Sequence, residues 1–68
     1  MRFTIEYEQD DDGRWLAEVL ELSGVLAYGA TPEEAVARAK ALALRVIAEQ
    51  LEHGETASSL TTIAFSAA

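Results

Sequence analysis

The feature that most constrains the fold of this chain is one long segment with a clear helical start and stop. Thr31 is a typical N-cap residue, Pro32 suits the first helical position, and Glu34 completes a capping box. Gly54 is the kind of residue that ends a helix in the left-handed conformation. The sequence therefore predicts an Ala-rich helix from Pro32 to about His53.

The N-terminal part of the chain predicts a β-hairpin. Residues 2–9 alternate between apolar and polar side chains, and residues 14–20 form a second β-rich run. Asp10–Gly13 separates the two runs, and a three-residue loop here would pair Tyr7 with Ala17. A loop one residue shorter or longer would reverse the faces of the second strand. The preferred register places these apolar side chains on one face: Phe3, Ile5, Tyr7, Trp15, Ala17 and Val19.

Two further strands are predicted, one before the helix and one after it. Residues 25–30 form a short third strand after a turn at 21–24, and residues 60–66 alternate again without any charged side chain. A right-handed helical crossover returns the last strand beside the first and parallel to it, so the predicted sheet order is 3-2-1-4. The predicted fold class is α+β, with one long helix on one face of a four-stranded sheet, in a single domain over residues 1–68.

The composition limits the chemistry that the chain can perform. It has 5 basic and 12 acidic residues, a net charge of −7, one histidine and no cysteine. The acidic balance argues against direct nucleic-acid binding, which depends on Lys and Arg, and no cofactor is predicted. Three basic residues interrupt the apolar stretch 35–48, so no membrane span is expected. The N-terminus lacks the apolar region of a signal peptide, so we expect a cytoplasmic protein.

Acidic side chains supply the candidates for metal binding or acid–base chemistry. Residues 8–13 copy the first half of an EF-hand loop, but Val19 stands where that loop needs a bidentate glutamate. A solvated hairpin turn is therefore the preferred interpretation. The carboxylates of the hairpin have no desolvating neighbour and no second catalytic group in the sequence pattern. Metal-dependent hydrolysis is the least favoured function, no catalytic or metal residue is predicted, and we expect no enzymatic activity.

The helix carries more apolar surface than one sheet face requires. Its apolar arc is wider than the stripe of about 100° that packing on a sheet uses. Either the alanines simply tolerate exposure, or one flank of the helix meets another subunit, and the sequence leaves both interpretations open. The second predicts a homo-oligomer, a dimer or a tetramer, formed through that flank and the uncharged last strand. The residues of this predicted oligomer interface are Leu44, Leu51, Leu60, Thr62, Ile63 and Phe65.

Three motifs in a fixed order give the chain a family resemblance. Asp10–Gly13 is an acidic turn, Glu21–Gly24 is a corner with the pattern Glu-Leu-x-Gly, and Gly29–Ala35 has the pattern Gly-x-Thr-x-x-Glu-Ala that opens the helix. With the aromatic-containing strand between the first two, this arrangement over residues 1–55 resembles the HicB family. The resemblance implies a partial ribonuclease-H-like fold with the element order βββαβ. It also implies an antitoxin of HicA-type toxins, which are small basic proteins that cleave mRNA.

The resemblance predicts that this chain neutralises its toxin by covering it. The acidic hairpin suits a basic partner because opposite charges steer association, and an aromatic side chain offers an anchor. The predicted toxin-facing residues are Glu6, Glu8, Asp10, Asp11, Asp12, Trp15, Glu18 and Tyr28.

The sequence departs from the family pattern in two respects. Leu20, Ser23 and Val25 stand where the family corner has two prolines and a cysteine. Many members also carry a C-terminal DNA-binding domain, for which this sequence has no candidate segment, so we do not expect direct operator binding. The alternative function is a stand-alone homo-oligomeric assembly module without a cognate toxin.

Overall fold

The computed structural model describes residues 1–55 and 62–68 of the chain, and four strands and one helix lie within them. In chain order they are β1 (Arg2–Gln9), β2 (Trp15–Val19), β3 (Leu26–Gly29), α1 (Pro32–Glu52) and β4 (Ala64–Ala67). The sheet has the order β3-β2-β1-β4, with β4 parallel to β1 and the other neighbours antiparallel. The predicted α+β architecture and strand order are therefore confirmed.

The hairpin of β1 and β2 closes through the predicted three-residue loop. The Asp10 N–H donates to the Arg14 carbonyl at 2.8 Å, and the Gly13 N–H donates to the Asp10 carbonyl at 3.1 Å. Gly13 has a φ of 85°, a conformation that favours glycine, as a bulge after a tight turn requires. Tyr7 consequently lies opposite Ala17, which is the preferred register.

Helix α1 begins with the capping interactions that its first residues predict. The Thr31 hydroxyl accepts the Glu34 N–H at 3.1 Å, and the Glu34 carboxylate accepts the Ala30 N–H at 3.1 Å. This second bond reaches one residue further back than in the usual capping box. Glu34 also lies 3.3 Å from Arg38, one turn along the helix. Gly54, with a φ of 68°, follows the end of the helix.

The core lies between α1 and one face of the sheet, and small side chains bring the two layers close together. A Cβ atom on Gly29 would lie 2.5 Å from the backbone nitrogen of Ala35, so only glycine fits where β3 meets the helix. The helix packs chiefly over β2 and β3. Its buried residues recur every four positions and three of them are alanine. The buried core consists of Phe3, Ile5, Ala17, Val19, Val25, Ala35, Ala39, Ala43 and Ile47.

The strand ends differ from the sequence prediction in a consistent way. β2 and β3 are each one residue shorter at both ends than predicted, because the turns that flank them take those residues. β4 occupies Ala64–Ala67 rather than 60–66, and residues 56–61 are outside the described part of the chain. The Ala64 N–H donates to the Met1 carbonyl at 2.9 Å, so pairing with the start of β1 fixes where β4 lies.

In the part of the chain that the structure describes, no helix combines the length and the apolar character that crossing a bilayer requires.

Candidate functional site

The face of the sheet that points away from α1 is the main candidate surface, and we call it the open face. Strand alternation places on it the residues of β1 to β3 that do not enter the core, together with Leu20 just after β2. The described residues contain one helix, which packs on the other side of the sheet. The open face carries Arg2, Thr4, Glu6, Glu8, Leu16, Glu18, Leu20, Leu26 and Tyr28.

The strand register arranges these side chains in two rows that cross three strands. Glu6 lies opposite Glu18, and Glu18 lies opposite Leu26 on the other side. In the second row, Leu16 lies between Glu8 and Tyr28. Carboxylates thus occupy the β1 side of the open face, and apolar side chains occupy the β3 side.

The apolar part of the open face is exposed to an extent that is unusual for large side chains. The exposed fractions are 48% for Leu20, 41% for Leu26 and 39% for Tyr28. The guanidinium of Arg14 lies over the Tyr28 ring, 4.3 Å from the ring centroid, and fixes one edge of this surface. Several large apolar side chains grouped on one exposed face are typical of a protein-binding surface.

The glutamates of the open face make no ion pair within the described residues, although Arg2 lies at the far end of the same face of β1. The ion pairs within residues 1–55 and 62–68 join Arg14 to the hairpin turn and Arg38 to α1, and none includes Glu6, Glu8 or Glu18. Like charges directly opposite each other on neighbouring strands destabilise a sheet. The direct opposition of Glu6 and Glu18 is therefore a cost to the free chain that a cation from another molecule would relieve.

The three aspartates of the hairpin turn have unequal roles. Asp10 shapes the turn, because its carboxylate accepts the N–H groups of Asp12 at 2.9 Å and Arg14 at 3.1 Å. The Arg14 guanidinium lies 3.4 Å from the Asp10 carboxylate and 3.7 Å from that of Asp12. Asp11 is exposed and makes neither kind of contact within the described residues. Two of the three predicted toxin-facing aspartates thus already have partners inside the turn.

The structure separates the two aromatic residues that were predicted as anchors. Trp15 is half-buried on the helix side of the sheet, where its ring lies 6.2 Å from that of Tyr7. Tyr28 lies on the open face beside Leu16 and Leu26. The structure therefore brings Tyr28 together with the predicted glutamates and places Trp15 on the opposite side.

Glu21 has a structural role at the rim of the open face that the sequence interpretation missed. Its carboxylate accepts the Thr4 N–H at 2.7 Å and the Thr4 hydroxyl at 2.8 Å, so a side chain after β2 completes the pairing of β1. These two hydrogen bonds, first the one from the backbone N–H, hold the pKa of the Glu21 carboxyl below its ordinary value. The two residues are 17 positions apart, and no local pattern signals the contact.

The predicted oligomer interface divides between α1 and the β4 edge of the sheet. Leu44 and Leu51 are exposed on α1, by 45% and 41%. On the other side of the molecule, the Thr62 carbonyl accepts a hydrogen bond from the N-terminal ammonium at 2.9 Å, and Ile63 is 37% exposed. Leu60 lies outside the described residues.

Phe65, the last residue of that predicted interface, is half-buried and packs against the core of its own chain. Its ring centroid lies 5.6 Å from that of Phe3, and the Lys40 ammonium lies 5.7 Å from the Phe65 centroid. Phe65 and Lys40 line a small cavity of about 110 Å³ between α1 and the strands β1 and β4. Phe65 thus serves the packing of β4 onto the core.

The described residues show no arrangement for metal chemistry, since no group of three or more Asp, Glu, His or Cys side chains among them is placed to hold an ion. Comparison with models of protein families, with curated proteins and with solved structures finds no match to this chain.

Proposed function

We propose that the open face binds a small basic protein, and that this chain is a HicB-like antitoxin that masks a HicA-type mRNA-cleaving toxin. The observation that carries the proposal is the opposition of Glu6 and Glu18, neither of which is ion-paired among the described residues, on a face that also exposes large apolar side chains. The identity of the partner follows from the family resemblance of residues 1–55. The proposed activity belongs in the cytoplasm, where mRNA is cleaved.

The electrostatics of the open face favour a cationic partner over other proteins. A Lys or Arg side chain placed between Glu6 and Glu18 would remove their mutual repulsion and gain two charge-assisted hydrogen bonds. The net charge of −7 would also attract a basic protein over a distance of about one Debye length, roughly 8–10 Å in physiological salt. A protein surface that binds RNA is rich in Lys and Arg, so it supplies both the cation for the opposed glutamates and the positive charge that attracts this chain.

The apolar half of the open face supplies the short-range part of the binding. Leu20, Leu26 and Tyr28 are exposed on the same face, and tyrosine is frequent among residues that dominate binding energies. A partner that docks here buries these side chains while its basic residues meet the carboxylates of β1 and β2. Docking of that kind covers the RNA-binding surface of the partner, so inhibition needs no catalytic group on this chain.

Binding of a HicA-type toxin by calorimetry, with inhibition of its mRNA cleavage, tests the proposal. The protein tested is the product of the adjacent gene, which we expect to be small and basic. We expect one-to-one binding that weakens as salt rises, because the charge pairs are screened. Leu20→Gln should weaken binding roughly tenfold or more, since it removes an apolar anchor.

The matched control is Leu44→Gln, because Leu44 is exposed to a similar extent but lies on α1, away from the open face. This variant should bind and inhibit the toxin as the unchanged chain does. Absence of binding, or equal binding by the Leu20→Gln variant, would show that the open face is not the toxin-binding surface.

A further inference from the structure

The side of α1 that points away from the core carries a continuous apolar stripe, which we call the helix seam. Its residues are spaced alternately by four and three positions, the spacing that keeps side chains in line when two helices pack along each other. All five side chains are exposed, and the two leucines are exposed by 45% and 41%. The helix seam consists of Ala37, Ala41, Leu44, Ala48 and Leu51.

The size pattern of the helix seam is complementary to itself in one orientation. When two copies of α1 run antiparallel, Leu44 of one copy can lie opposite Ala48 of the other, and Leu51 opposite Ala41. Each leucine then packs against an alanine, so the helix backbones approach closely and no large side chains collide. In a parallel pair, by contrast, leucine would meet leucine and alanine would meet alanine.

The charges beside the helix seam favour the same antiparallel orientation. Arg38 lies near the beginning of α1 and Glu52 at its end, on the same flank of the seam. The antiparallel arrangement brings Arg38 of one copy within about one turn of Glu52 of the other, and the two-fold axis repeats the contact. Arg38 already lies 3.3 Å from Glu34 and donates to the Tyr28 carbonyl at 2.9 Å. Glu52 of the other copy, which has no ion pair among the described residues, would extend this pair into a network.

We infer that the helix seam is a homodimer interface, in which two copies of this chain pack their α1 helices antiparallel around a two-fold axis. We choose a second copy as the partner for two reasons. In an antiparallel pair the leucines of one seam lie opposite the alanines of the other, and Arg38 of one flank lies near Glu52 of the other. The interface leaves the open face uncovered, so the dimer would present two open faces to other molecules. This inference does not depend on the proposed antitoxin function.

Sedimentation equilibrium over a wide concentration range tests the dimer. The unchanged chain should dimerise, and Leu44→Gln should raise the dimer dissociation constant roughly tenfold or more by removing the central leucine. Leu20→Gln is the matched control, since it makes the same change at a similarly exposed leucine on the open face. Circular dichroism should show that both variants stay folded. A chain that remains monomeric throughout, or a dimer that only Leu20→Gln disrupts, would overturn the inference.

Single cysteines test the orientation, and the chain has no native cysteine to interfere. Oxidation of a mixture of Ala41→Cys and Leu51→Cys chains should give a mixed disulfide, because these positions face each other in the antiparallel pair. Each variant alone should not crosslink, since its two cysteines would be about 15 Å apart, well beyond disulfide reach. Crosslinking of each variant with itself but not with the other would indicate parallel helices and contradict the proposed interface.

Discussion

The open face and the helix seam are two exposed apolar surfaces of the same chain that differ in how their charges are arranged. On the open face, carboxylates from neighbouring strands oppose each other, and none of them is ion-paired within the described residues. Beside the helix seam, Arg38 and Glu52 carry opposite charges at opposite ends of one helix. A second copy of the open face would bring further carboxylates near the opposed pair, whereas a second copy of the helix seam would bring each Arg38 near a Glu52.

This difference indicates which kind of partner suits each surface. Two open faces brought together would bury the unpaired glutamates of both copies in one interface, which opposes association. Two helix seams brought together antiparallel bury leucine against alanine and pair charges at the rim. A small chain can therefore keep self-association and partner binding on separate sides, so that one does not block the other.

The largest expected change in the free energy of unfolding tests whether Leu44 and Leu20 support the fold or are free for partners. Ile47 is 2% exposed and packs in the core, only three residues from Leu44. Ile47→Ala should lower the free energy of unfolding by about 3 kcal/mol, because it removes buried methyl groups and leaves a cavity. Leu44→Ala and Leu20→Ala should each change it by less than about 0.5 kcal/mol.

Urea denaturation at a concentration where the chain is monomeric measures these three values. If Leu44→Ala or Leu20→Ala lowers the free energy of unfolding as much as Ile47→Ala does, that leucine supports the fold and its surface is not free for a partner.

The helix shows why the core could be predicted only in part. Caps and ends of α1 follow from local signals at Thr31 and Gly54, which act within one turn. The inward face was less clear, because alanine is nearly indifferent to exposure. Ala39 and Ala41 look equivalent in the sequence, yet one is buried in the core and the other belongs to the helix seam. Which alanines are buried depends on the side of α1 that packs on the sheet, and that is a tertiary contact.

The candidate site shows the same division between local and distant causes. The loop that ends at Gly13 fixes the register, so the grouping of Glu6 and Glu18 on one face could be predicted. Trp15 and Tyr28 were predicted as possible anchors of one surface, although β2 and β3 turn them to opposite faces. Contacts between residues far apart in the sequence, such as that of Thr4 with Glu21, have no local signal of this kind.

Acidification should weaken the contact between Glu21 and Thr4 at the rim of the open face. Glu21 accepts two hydrogen bonds from Thr4 as a carboxylate, and its pKa is lowered from the ordinary 4.5 when the chain is folded. A carboxyl with a lowered pKa in the folded state contributes stability that is fully present above pH 4.5 and is lost as the pH falls below that value. We therefore expect the free energy of unfolding to fall in this window, and Glu21→Gln to remove that part of the pH dependence.

Denaturation between neutral pH and pH 3 checks this expectation. Glu55→Gln is the control, because Glu55 is an exposed carboxylate beyond the end of α1 and far from β1 in the chain. An unchanged pH profile in the Glu21→Gln variant would mean that the Thr4 contact does not stabilise β1. Amide exchange at Thr4 gives a direct local readout, since its N–H is the donor.

The smallest expected effect is a gain in stability that accompanies a loss of partner binding. Glu6→Gln removes one of two opposed carboxylates, so the free chain should gain about 0.5 kcal/mol of stability while its binding to the basic partner weakens. Glu8→Gln is the control, since Glu8 faces Leu16 and has no opposed carboxylate in the register. It should weaken binding without the gain in stability, and neither variant should alter dimerisation through α1.

A stabilised chain that binds its partner less well would identify the repulsion between Glu6 and Glu18 as a feature kept for binding. A destabilised chain would mean that the two carboxylates already have a favourable interaction, and the electrostatic argument for a cationic partner would fail.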